Sequence, residues 1–232
     1  MHTDPRGNQL LNRLPQAQFP ELFRQLKLIP LESGQVIYES RSKIEYAYFP
    51  TSGTLSAVVV VAAGNMIEVA TVGREGAAGL PAFVEAQTSP NRVFCQVPGE
   101  ALRIESNLLD RVAQKDGPFR RLLFQYQAAF MFQVSQSVAC NALHGLTQRC
   151  CRWLLMTHDR VDGDEILLTH EFLAAMLGAR RSSVTEVLQV LKEQGLVDYG
   201  RGKITVVDRQ GMEAGSCECY ESVRAEYARL LK

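Results

Sequence analysis

Apolar residues change their period twice along this chain, and the changes divide it into three parts. Over residues 8–28, Leu10, Leu11, Leu14, Leu22, Phe23 and Leu26 recur at helical spacing, interrupted by Pro15 and Pro20, which predicts two short helices. From Gly34 onward the runs become short and rich in β-branched and aromatic residues, at 36–38, 47–49, 55–61, 66–72, 93–97 and 101–104. Gly34, Pro50-Thr51-Ser52-Gly53, Ala63-Gly64-Asn65, Gly73 and Pro98-Gly99 punctuate them. Turn signals recur at intervals of about 8 to 15 residues with no helix-length connection between them, which predicts a jelly-roll-like antiparallel β-roll.

Residues 119–143 then run without an interior Gly or Pro and place Phe119, Leu123, Tyr126, Phe130, Val134 and Val138 on one stripe. One helix of about 38 Å is expected, longer than a small barrel is wide. Its stripe therefore needs a further partner, and the simplest is its own copy in a two-fold dimer; the alternative is that the stripe packs under the roll. A second helix, 146–158, follows Gly145.

The last third reads as helix, glycine turn, helix. Thr169 can cap the first helix and Glu171 suits its positive end. Ala174 and Leu177 face inward, Gly178 supplies the turn, and Val184, Leu188 and Leu191 carry the apolar face of the second helix. Two β runs, 196–199 and 204–207, joined by Gly200-Arg201-Gly202-Lys203, add a hairpin with two cations at its tip. The expectation is an α+β chain: a β-roll over 1–117, a dimerisation helix over 118–144 and a winged helix-turn-helix over 145–232.

Composition narrows the function. The 232 residues are 46% hydrophobic and 22% charged, as in ordinary globular proteins, and 25 Lys plus Arg balance 25 Asp plus Glu. No global field draws the chain to nucleic acid or membrane, so any such contact must be local. The apolar run at 55–63 is broken by Ser56 and bounded by Gly53 and Gly64, short of the roughly 18 residues of a membrane span. With no apolar stretch behind Asp4 and Pro5, no export signal is visible, so a cytoplasmic protein is expected. Cys95, Cys140, Cys150, Cys151, Cys217 and Cys219 are then expected as reduced thiols.

Local charge supports a nucleic-acid contact. The start of the second helix offers Arg180, Arg181, Ser182, Ser183 and Thr185 as donors, with no acid before Glu186. Across 168–209 there are six Lys plus Arg against five Asp plus Glu, so affinity would come from few contacts, doubled by a dimer. An ordinary αα-hairpin is the alternative, and it would leave those donors without a role. The candidate DNA-binding residues are Thr169, Arg180, Arg181, Ser182, Ser183, Thr185 and Glu186, with Arg201 and Lys203 on phosphate.

Leu31-Glu32-Ser33-Gly34-Gln35-Val36-Ile37-Tyr38, Gly53, Gly76-Ala77-Ala78-Gly79-Leu80 and the run from Leu168-Thr169 to Leu196 together resemble the Crp/Fnr family of bacterial transcription regulators, over nearly the whole chain. The resemblance implies a homodimer on a near-palindromic DNA operator, modulated through its β-roll, with RNA polymerase as a further partner. It places Arg181, Ser182 and Glu186 where the family reads bases, although Ser182 and Glu186 depart from the acid and arginine of the best-known members. Ser183-Val184-Thr185-Glu186 also fits a capping box, so Glu186 either closes a helix end or accepts from a cytosine.

Cyclic-nucleotide binders of this family carry Gly-Glu-Leu-Gly-Leu, where the Glu takes the ribose hydroxyl. In Gly76-Ala77-Ala78-Gly79-Leu80 that acid is Ala77, and Arg92 approximates the phosphate ligand only after a segment of different length; a structural arginine is the alternative. This effector pocket is not expected to bind cyclic AMP tightly, and no cofactor is expected. The iron-sulfur sensors of the family use N-terminal cysteines, and none precedes Cys95. Neither Cys150-Cys151 nor Cys217-Glu218-Cys219 has Cys-x-x-Cys spacing, so no metal site is expected and a redox role for Cys217 and Cys219 is secondary. His2, His144, His158 and His170 all lie outside 34–105, and there is no nucleophile elbow or phosphate loop, which argues against an enzyme. The rival reading is a ligand-binding or redox-sensing β-roll protein without operator recognition.

Overall fold

The computed structural model describes residues 7–61, 65–80, 87–115 and 117–231; the Ala63-Gly64 turn and residues 81–86 lie outside them. The chain falls into two compact units, one of residues 1–57, 71–130 and 230–232, the other of 58–70 and 131–229.

In the first unit, 3-10 turns at Leu11–Arg13 and Gln16–Gln18 lead into α1 (Pro20–Gln25), which opens on its proline where the missing N–H has no helical partner to lose. Seven strands follow along the chain, β1 (Lys27–Leu31), β2 (Val36–Tyr38), β3 (Tyr46–Pro50), β4 (Thr54–Val60), β5 (Met66–Val72), β6 (Arg92–Val97) and β7 (Gly99–Glu105), of which the end of β4 and most of β5 belong to the residues 58–70 of the other unit. They form two sheets, in the orders β1-β7-β3 and β2-β6-β4-β5. The pairings of β7 with β1 and with β3 are antiparallel, with Lys27 opposite Arg103 and Tyr46 opposite Glu105. This is the expected roll, extended by one strand. Pro30 hides β1 from a sequence reading, but β1 is an edge strand, where a missing backbone donor need not break the ladder. Phe49, Leu55, Leu102 and Ile104 are buried in the core of the roll, and β3 and β4 carry runs of consecutive buried positions.

An unexpected helix, α2 (Ser106–Lys115), buries Leu108, Leu109, Val112 and Ala113. Its first residue anchors it, because Ser106 Oγ donates to the carbonyl of Ile44 at 2.7 Å. The long helix α3 (Gly117–Leu143) is present as expected, but its apolar residues divide into two sets. Phe119, Leu123 and Tyr126 are fully buried in the chain's own fold; Phe119 meets Phe19 edge-on at 5.6 Å. Phe124, Met131, Val138 and Leu143 are the large apolar side chains of α3 left exposed; the first three, 42%, 56% and 63% exposed, stand seven residues apart. Of the expected stripe, Phe119, Leu123 and Tyr126 are core, Phe130 and Val134 are half-buried and Val138 is exposed.

The second unit holds α4 (Leu146–His158), β8 (Glu165–Leu167), α5 (His170–Leu177), α6 (Arg181–Glu193), β9 (Val197–Gly200), β10 (Lys203–Val206), α7 (Arg209–Gly215) and α8 (Cys219–Leu230). The expected hairpin is the β9–β10 pair, widened by β8 into the order β8-β10-β9. Trp153, Leu154, Leu173, Leu188, Leu191, Ile204 and Met212 make the core. Arg209 joins three helices: it donates to Asp159 at 2.6 Å, to the Tyr220 hydroxyl at 2.6 Å and to Glu213 at 3.1 Å, while Tyr220 donates to Asp159 at 3.0 Å. No described helix is long and apolar enough to cross a membrane.

Gly76 shows how closely the first unit is packed. A Cβ there would stand 2.1 Å from Cε2 of the Tyr126 ring. Gly76→Ala is therefore expected to lose about 1–3 kcal/mol and a few degrees of Tm in calorimetry, whereas Gly117→Ala, with nothing within 4 Å, leaves Tm unchanged.

Candidate nucleic-acid interface

Local chemistry builds the helix-turn-helix. Thr169 caps α5 as expected, its hydroxyl accepting from the Phe172 amide at 3.2 Å. At the other end Gly178 adopts φ 59, ψ 38, the left-handed conformation in which an L side chain is strained. The amides of Gly178 and Ala179 then turn back to the carbonyls of Ala175 and Ala174 at 3.2 and 2.9 Å. Arg149, from α4, donates to the carbonyl of Leu177, the last residue of α5. Helix α6 begins two residues beyond the turn, its apolar face formed by the buried Val184, Leu188 and Leu191.

The N-terminus of α6 settles the capping question. Its N-cap is Arg180, and no side chain caps the first turn. Ser183 lies inside the helix, so Ser183 to Glu186 cannot be a capping box, and Glu186 stands exposed on the helix surface. Uncapped amides at the positive end of a 13-residue helix form an anion-accepting surface. Arg180, Arg181 and Ser182 are exposed around it and Ser183 is half-buried. Arg181 approaches Glu171 at 3.7 Å, but both side chains are largely exposed, and such a pair gives way readily to a phosphate.

Thr185, half-buried, makes contacts within the fold. Its hydroxyl donates to the Arg181 carbonyl at 3.0 Å and accepts from Nδ1 of His170 at 3.1 Å, and that imidazole stacks edge-on against Tyr199 at 4.9 Å. Thr185 thus holds α5, α6 and β9 together. A cleft of about 400 Å³ opens beside this group, lined by Thr169, His170, Glu171, Arg181, Gly200 and Gly202, so the first turn of α6 and the hairpin tip share one face. Arg201 is exposed at that tip; Lys203, half-buried, pairs with Glu165 of β8. Lys192 is likewise bound to Asp198 at 2.5 Å, whereas the exposed Arg180 and Arg201 have no acidic partner among the described residues.

The candidate effector segment of the first unit is closely packed. Gly76, Ala77, Ala78, Gly79 and Leu80 are all buried. Ala78 exchanges backbone hydrogen bonds with Tyr48 at 2.8 and 3.0 Å, and the Gly76 carbonyl accepts from the buried Asn8 at 2.8 Å. Arg92, the first residue of β6, faces Glu39 at 3.5 Å. The thiols of Cys95 and Cys151 are each pushed up to about 11 by burial, and that of Cys150 higher still, so these three are poor nucleophiles.

Burial, and after it the charge of Arg181, lowers the pKa of His170, so the fold favours the neutral ring. A depressed pKa contributes stability above the unfolded value of about 6.5 that is lost as pH falls through the folded one. Thermal unfolding should therefore show a loss of stability between pH 7 and 5, and His170→Gln should flatten that part of the profile.

Known families and structures bear on this arrangement. The family model described as a cyclic nucleotide-binding domain matches residues 28–116, and that described as a Crp-like helix-turn-helix domain matches residues 148–214. No curated protein sequence matches the chain. Among solved structures, FixK2 from Bradyrhizobium japonicum is 16% identical, covers 83% of this chain and 98% of its own, and superposes with a TM-score of 0.71. A CRP family transcriptional regulator from Thermus thermophilus is 19% identical over 81% of this chain and 96% of its own, with a TM-score of 0.68. CLP of Xanthomonas campestris, a c-di-GMP responsive global regulator, is 14% identical over 84% of this chain and all of its own (100%), with a TM-score of 0.66. At these identities the likeness establishes a shared fold.

Proposed function

We propose that this chain, which belongs by its two domains to the Crp/Fnr family of transcription regulators, is a homodimer that reads a near-palindromic DNA operator through α6. The observation that carries this reading is the uncapped first turn of α6, ringed by exposed Arg180, Arg181 and Ser182 and facing the same cleft as the hairpin tip. Anchored on phosphate by its N-terminus, the helix would offer Arg181, Ser182 and Glu186 to base edges in a major groove. Arg180 and Arg201 would hold the flanking phosphates. Lys203 would join them only after exchanging Glu165 for phosphate.

The exposed apolar positions of α3 support dimerisation. Phe124, Met131 and Val138 repeat at heptad spacing, the pattern that seats one helix against a copy of itself. Two α6 helices related by such an axis would enter major grooves about 34 Å apart. Signals from the roll would act by changing that separation. Ala77 offers no acceptor for a ribose hydroxyl and Arg92 is engaged by Glu39, so the effector we propose is not cyclic AMP.

Two experiments test the reading. Operators selected from a random duplex library should bind the full chain with a steep salt dependence. Arg181→Ala should cost about 1–3 kcal/mol and relax preference at one base pair, while Arg201→Ala should weaken all sequences alike and lower the salt slope by about 1. Absence of any selected sequence would refute operator recognition. Separately, Met131→Glu should convert the dimer to a monomer in sedimentation equilibrium and reduce operator affinity at least about tenfold.

A further inference from the structure

Four side chains far apart in sequence meet in the second unit. Cys140 lies in the last turn of α3, and His144 follows one turn later, its amide bonded to the Cys140 carbonyl at 3.1 Å. Cys217 sits in the turn between α7 and α8, and Cys219 is the first residue of α8. The three sulfurs and the His144 ring nitrogen all lie within 4.8 Å of one another, with Cys140 and Cys217 3.5 Å apart and Cys219 3.5 Å from Nδ1 of His144. A tetrahedral zinc ion with ordinary Zn–S and Zn–N bonds sets ligand edges of about 3.6 to 3.8 Å. The thiols are buried and cluster with each other.

The surroundings suit an ion. Nε2 of His144 faces Glu218 at 3.2 Å, and donating its proton there leaves the Nδ1 lone pair facing the sulfurs, as a carboxylate behind a metal-bound histidine does. Gln136 donates to Cys219 Sγ at 3.2 Å. The second observation is Arg152, a guanidinium only 6% exposed that has no carboxylate partner among the described residues and whose charge acts on Cys140. An unpaired buried cation is costly. Zinc held by three thiolates and a neutral imidazole carries one net negative charge and would offset it.

We propose that Cys140, His144, Cys217 and Cys219 bind one zinc ion tetrahedrally, joining the end of α3 to the start of α8. Binding replaces three S–H protons, released to solvent, with three Zn–S bonds, and no oxidant or reductant takes part. So compact a ligand set encloses a single ion and not an iron-sulfur cluster, whose ligands ring a core of several atoms. A Cys140–Cys217 disulfide would leave Cys219, His144 and Arg152 without the partner their placement implies. Arg149, which donates to the Leu177 carbonyl ahead of Gly178, also interacts electrostatically with Cys140 and Cys217, so a filled site would bear on that turn.

The test needs no DNA, so it stands or falls apart from operator recognition. The full-length chain, reduced and freed of metal anaerobically, is titrated with Co2+ and then Zn2+. The expected result is a thiolate-to-cobalt charge-transfer band with tetrahedral d–d absorption, saturating at one equivalent per chain and abolished when Zn2+ displaces the cobalt. Cys217→Ser/Cys219→Ser should lose the band, Cys95→Ser should keep it, and Glu218→Gln should weaken affinity about 10-fold to 100-fold. No band in the wild-type chain, an octahedral spectrum, or a band that survives the double substitution overturns the proposal. If the double variant does not fold, His144→Ala takes its place, and undiminished cobalt affinity there has the same consequence.

Discussion

The proposed DNA-reading surface depends on one backbone event, the stop of α5 within a single residue. A helix that ends leaves carbonyls without partners, and a second helix can start beside it only if those groups are satisfied and the chain reverses at once. Gly178 makes the reversal through its left-handed conformation, the amides of Gly178 and Ala179 return to the last turn, and Arg149 reaches over from α4 to the Leu177 carbonyl. Val184, Leu188 and Leu191 then fix α6 by burial, and its uncapped N-terminus is left outward. Thr185, His170 and Tyr199 pin the hairpin to the same face.

A chain with no net charge cannot use a long-range field to find a polyanion, so its electrostatics must be arranged locally. The fold does this by neutralising some cations and sparing others. Lys192, Lys203 and Arg209 are matched by Asp198, Glu165 and the pair Asp159 and Glu213. Arg180 and Arg201 are left over, on the face that carries the free helix end. In the proposed dimer, contacts built from so few charges would be doubled through the exposed apolar positions of α3.

Elements whose burial is one-sided and whose ends carry strong signals were legible in the sequence. The roll strands, the glycine-free run of α3, α4 behind Gly145, Thr169 as a cap and Gly178 as a turn all follow from periods of 2 or 3.6 and from local backbone preference. Elements defined by a neighbour were not. β1 contains a proline that only an edge position tolerates, and β8 has three residues and exists because β10 pairs with it. For α8, the spacing of Tyr220, Val223 and Tyr227 was a usable signal. The stripe of α3 was seen whole because periodicity shows which positions share a face and not which body covers them. Cys140, His144, Cys217 and Cys219 escaped a search for paired spacing because more than seventy residues separate the two halves.

Sequence alone determined the succession of roll, long helix and winged helix-turn-helix, the fold class and the donors at the start of α6, since each is fixed by neighbours a few residues away along the chain. Tertiary structure decided which residues of α3 are core, that Glu186 caps nothing, that Thr185 meets His170, which cations meet an acidic partner, and that three thiols and an imidazole come together. Those are properties of distance through space between residues remote in sequence, and a linear pattern carries no measure of it.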